Sequence, residues 1–121
     1  MEIRIAKGDS RKFLIRIHDL FTGERLDLND LTVYFTIKKK LSDGDEEILV
    51  EHNSDEAGIT ITNAFKGEAI LQVTPTDTDL HPGDYYFDIR CVNAGGTEVI
   101  SNYPNYGTFV VYEVVRQSFS V

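Results

Sequence analysis

The stretch LTVYFTIKKK, residues 31–40, alternates side-chain character along its length. Leu31, Val33, Phe35 and Ile37 fall on one side, and Thr32, Tyr34, Thr36 and Lys38 on the other. A period of two marks a strand with one face on a core and the other toward water. A helix repeats every ~3.6 residues and would scatter the same apolar set around its axis. The pattern recurs along the chain. RKFLIRIHD (11–19) sets Phe13, Ile15 and Ile17 against Lys12, Arg16 and His18, and EIRIA (2–6) puts Ile3 and Ile5 on one side. EEILVEH (46–52), GITIT (58–62), EAILQVT (68–74), DYYFDIRCV (84–92), TEVISNY (97–103) and GTFVVYEVV (107–115) are further strand candidates, rich in Val, Ile, Thr, Tyr and Phe.

Turn chemistry separates these segments. KGDS, FTGERLD, SDGDE, SDEAG, FKG, HPGD, NAGG and YPNYG place Gly, Pro, Asn or Asp where the backbone must bend. NAGG reads as a tight hairpin between DIRCV and TEVIS. Short strands at this spacing predict an all-β protein, an antiparallel β-sandwich. With 121 residues, no repeat and no linker, the expectation is one domain over 1–121.

The segment TPTDTDLHPGDYYFDIRC (74–91) concentrates acids, a histidine and the single cysteine. Two readings compete for it. Asp77, Asp79 and His81 would share a side of an extended chain, as metal ligands must. Alternatively, Thr74 is an N-cap, Pro75 the first helical residue and Asp77 the reciprocal acid of a capping box. The second reading predicts one helical turn over 75–80, ended by HPGD, with Leu80 plugging the end of the core. Tyr85, Phe87, Ile89 and Cys91 then share a strand face, which makes Cys91 a buried small hydrophobe rather than a reactive thiol. Asp88 and Arg90 share the other face. A short turn between two sheets, followed by a tyrosine-led strand, is the bottom corner of an immunoglobulin-like sandwich, and one of its tyrosines is expected to bond upstream backbone. The inter-sheet disulfide and core tryptophan of antibody domains are missing, so that likeness is architectural.

Other clusters carry less. LSDGDEE and NSDEAG lack the calcium-loop spacing and read as solvated turns. His18, His52 and His81 fall in different elements, and no GxSxG or HExxH is present. Neither a catalytic set, a metal site nor a cofactor is predicted. Tyr103 and Tyr106 in SNYPNYG, with Tyr112, are candidate partner contacts, able to stack on a protein or a sugar. The formal charge of −8 argues against nucleic acid as the main partner. That charge is uneven. Residues 1–40 carry nine Lys/Arg against six Asp/Glu, whereas residues 41–121 carry three against fourteen. Such asymmetry suits a solvated surface or a self-complementary, head-to-tail one. A lone cysteine fits a reducing compartment. No signal-peptide pattern and no apolar run long enough for a membrane span occur in the sequence.

The ordered set of motifs resembles a family of small bacteriophage virion proteins, including the immunoglobulin-like N-terminal domain of phage baseplate upper proteins. The matching pieces are Gly8–Asp9, Leu31 to Lys38, Gly58 to Ile61, Gly67 to Asp88 and Gly107 to Val110. The resemblance implies a non-enzymatic structural and assembly role, in a tail or baseplate. Capsid decoration, or a carbohydrate- or protein-binding module, are the alternatives. It also implies other virion proteins as partners, a homo-oligomer in the particle, and a virion location after assembly in the host cytoplasm.

Overall fold

The computed structural model describes residues 2–19, 21–40, 42, 44–96, 98–99 and 106–113. Strands form where the alternation predicts them: β1 (Glu2–Ala6), β2 (Arg11–Arg16), β3 (Leu31–Lys38), β4 (Val50–Asn53), β5 (Ile59–Asn63), β6 (Glu68–Val73), β7 (Gly83–Asn93), β8 (Glu98–Val99) and β9 (Tyr106–Tyr112). They make two sheets. The larger runs β1-β9-β7-β3-β4, with β8 also on β7; the smaller runs β2-β6-β5. The chain is an all-β sandwich.

Phe35, Phe87 and Phe109 from the larger sheet meet Ile15, Leu71 and Val73 from the smaller in one buried cluster. The Phe35 ring sits 5.5 Å from that of Phe87 and 6.5 Å from that of Phe109, centroid to centroid. Burial of aromatic area on this scale is the main stabilising term of a sandwich core. Cys91 is fully buried on the same face.

Three features depart from the expectations. The strand predicted over 46–52 begins only at Val50, because Asp45–Glu47 forms a 3-10 turn. Glu47 N–H donates to Gly44 O, and Leu49 N–H then joins Ile37 O to enter the sheet. The segment starts with two acids followed by three apolar residues, so it lacks the alternation that an extended chain would use. Secondly, β1 pairs with β9 in parallel, Glu2 opposite Thr108 through Ala6 opposite Tyr112, among otherwise antiparallel partners. Thirdly, the turn expected over 75–80 is shorter, covering 75–78. Thr78 N–H reaches Thr74 O at 3.2 Å and Asp79 N–H reaches Thr76 O at 3.3 Å. One turn closes before HPGD redirects the chain.

The smaller sheet is locked to the 17–28 segment at Gly67. Asn63 caps the 3-10 turn Ala64–Lys66 by accepting from Lys66 N–H, and Gly67 ends it at φ 66°. A Cβ there would lie 2.6 Å from both Ile17 O and Leu26 O, so only glycine fits. Leu28 is fully buried beyond this junction, with its N–H on Ala64 O.

Candidate functional site

The densest set of polar contacts lies at the corner between β6 and β7. Thr74 N–H donates to Asp77 Oδ2 at 2.8 Å, and Asp77 N–H donates to Thr74 Oγ1 at 3.3 Å. This is the reciprocal capping box that the spacing predicts. Tyr85 Oη donates to His81 O at 2.6 Å, which makes Tyr85 the corner tyrosine. Leu80 is partly buried against the core. Thr78, which the sequence did not single out, is fully buried beside it. Its hydroxyl donates to Asp9 O at 2.8 Å and ties the corner to the β1–β2 turn. Lys7 closes the far side, with Nζ 3.0 Å from Leu80 O and 3.1 Å from Asp79 Oδ1.

Asp77 also has a partner that the sequence did not reveal. His52 Nε2 of β4 lies 2.7 Å from Asp77 Oδ2. The carboxylate can only accept, so Nε2 carries the proton. The imidazole is held by a stack on Phe35, 6.4 Å between centroids and 11° between planes. Its opposite edge faces Gly58, where a Cβ would fall 2.3 Å from Cγ and 2.5 Å from Nδ1. Nδ1 therefore abuts backbone, and no hydroxyl or thiol among the described residues bonds to it. The pair fixes β4 to the corner.

Asp77, Asp79 and His81, the set that the alternative metal reading would need, are divided among separate jobs. Asp77 caps and holds His52, Asp79 pairs with Lys7, and the His81 carbonyl takes the tyrosine. No group of three or more His, Cys, Asp or Glu side chains is placed to hold a metal among the described residues. Asp88 and Arg90 pair along β7 at 3.1 Å. They border an open hollow of ≈ 380 Å³ on the outer face of the larger sheet, beside Tyr34 and Thr36 of β3 and Glu51 of β4.

Of the candidate partner contacts, Tyr112 is exposed at the end of β9. The side chain of Tyr106, whose backbone opens β9, and all of Tyr103 lie outside the described residues. More prominent are apolar side chains the sequence reading passed over. Phe21 and Phe65 are 79% and 77% exposed, on the Asp19 turn and the Ala64–Lys66 turn. Each sat among turn residues, where no periodicity separates a buried aromatic from an exposed one.

No family model and no curated protein matches the chain. Among solved structures, the N-terminal domain of phage TP901-1 ORF48 shares the fold: TM-score 0.57 at 15% identity, over 93% of this chain and 85% of that one. A phage protein domain is thus what the chain resembles in fold, as the ordered motifs from Gly8–Asp9 to Gly107–Val110 lead one to expect.

Proposed function

We propose that the chain is a non-enzymatic structural and assembly protein of a phage virion, a component of the tail or baseplate. The observation that carries the reading is the fold shared with a phage protein domain over nearly the whole chain. The corner chemistry supports it, since its polar side chains are spent on capping, on the β6–β7 turn and on tying β4 to it. What remains for function is surface: strand edges, loop-tip phenylalanines and Tyr112, the usual working parts of a binding sandwich. Its partners are other virion proteins, and its place is the assembled particle.

Quantitative mass spectrometry of purified phage particles induced from the source tests this. Detection at a handful to dozens of copies per particle is expected of a tail or baseplate component. Hundreds of copies would replace that position with capsid decoration. Absence from clean particles would overturn the virion reading.

A further inference from the structure

The smaller sheet ends in β2, and its pairing with β6 decides which backbone groups are used. Ile17 N–H donates to Gly67 O at 2.9 Å, and the register continues through Arg16 opposite Glu68 and Ile15 opposite Ala69. Bonded and non-bonded pairs alternate along an antiparallel ladder. Arg11, Phe13 and Ile15 therefore exchange bonds with β6, while the N–H and C=O groups of Lys12, Leu14 and Arg16 point away from the sheet. Those three residues are exposed, and no described strand pairs on that side. β2 carries Arg11, Lys12 and Arg16 and no acid. Between the cations Leu14 is 52% exposed, opposite Ile70 of β6.

The other side of the sandwich carries the reverse charge. The far edge of the smaller sheet, β5, meets β4 through the Asn53–Gly58 bridge, so β4 lies across the molecule from β2. Leu49 is 46% exposed at the entry to β4. Glu47 and Glu51 flank it two residues away on either side, both exposed and neither in an ion pair among the described residues. Of the lysines that end β3, Lys39 is turned away, onto Asp84 O and the Tyr85 ring, and Lys38 and Lys40 each have an interaction of their own. Charge alone can guard a strand edge against stray pairing. Guarding does not account for a half-exposed leucine among the charges of each edge, nor for the opposite signs around them.

From this complementarity we infer that a second copy of the chain docks its β4 edge on the β2 edge. Leu49 packs against Leu14 and Ile70, and Glu47 and Glu51 meet the cations of β2, Lys12 beside Leu14 on the outer face and Arg11 at the first residue of the strand, over the Phe13 ring. The contact is head to tail, so repetition closes into a ring or extends as a filament. The inference goes beyond the virion reading and stands apart from it, because it concerns the purified chain alone.

Sedimentation velocity of the full chain, at rising concentration and in low and high salt, is the test. Larger species should grow with concentration at low salt. Association should weaken about tenfold or more as salt approaches 1 M, where screening shortens to ~3 Å. Arg11→Glu with Lys12→Glu should give a monomer, and so should Glu47→Lys with Glu51→Lys, each with an unchanged melting curve. Both pairs leave the Arg16–Glu68 contact in place. An equimolar mixture of the two variants should assemble again, since every contact in it joins opposite charges. A monomer at all concentrations in low salt would overturn the inference. So would assembly that neither variant weakens, or a mixture that stays monomeric.

Discussion

His52 Nε2 and Asp77 Oδ2 lie 2.7 Å apart, and the same oxygen accepts the Thr74 N–H at 2.8 Å. One carboxylate thus joins the edge of the larger sheet to the turn that follows β6. Asp77 is 7% exposed, so removing it strands two donors away from water. Asp77→Ala should lower stability by about 2–4 kcal/mol, the sum of a lost cap and a lost charge-assisted bond. Urea denaturation measures it. A double-mutant cycle with His52→Ala should show coupling above ~0.5 kcal/mol. Simple additivity would mean that the two side chains do not support one another.

Gly58 sits at φ 92°, with the imidazole where a side chain would go. Gly58→Ala should cost more than ~1 kcal/mol, since alanine there is both strained and obstructed. Repeating the substitution in a His52→Ala background separates the two causes. The steric part should vanish and the backbone part should remain.

Removing one oxygen at Tyr85 isolates the corner bond to His81 O. Tyr85→Phe keeps the buried ring and should cost about 0.5–1.5 kcal/mol. Thermal unfolding should record the loss while particle incorporation is unaffected.

Thr78→Val keeps the shape of a fully buried residue and deletes its hydroxyl. The Asp9 and Pro75 carbonyls both lose a donor, and about 1–3 kcal/mol should follow. Hydrogen exchange should quicken around the 7–10 turn if that bond holds β1 and β2 to the corner.

Glu68 accepts from Arg16 at 3.1 Å and from Arg25 at 3.2 Å. The Arg16 hydrogen bond, with Arg25 assisting, holds its carboxyl below the ordinary glutamate range. A group depressed in the folded state adds stability above its unfolded pKa, and that stability is lost as pH falls through the folded value. NMR titration of the Glu68 carboxyl should therefore give a low midpoint that rises in Arg16→Gln. An ordinary midpoint in the parent chain would count against the pairing.

Period-two alternation made strands such as β3, β6 and β7 legible, because each has one buried face and one more open to water. Phe35 and Phe87 were readable as core for that reason, and the Thr74–Asp77 box from its three-residue spacing. Leu28 was not readable: it is fully buried, yet it stands in LDLND, a stretch too short and too rich in Asp and Asn to read as a strand. Nor was the His52–Asp77 pair, which joins residues 25 apart and exists only because the sandwich folds β4 against the corner. Charge asymmetry was visible as a count. Its division between the β2 and β4 edges needed the strand order.

The parallel pairing of β1 with β9 sets how the molecule bears load. β1 enters beside Thr108 and β9 leaves beside Ala6, so a pull outward along the two strands acts on them in opposite directions. The bonds of the five-residue register would be stretched together in shear, rather than opened one by one. A sandwich threaded this way resists tension between its first and last strands far better than an antiparallel hairpin peeled from one end.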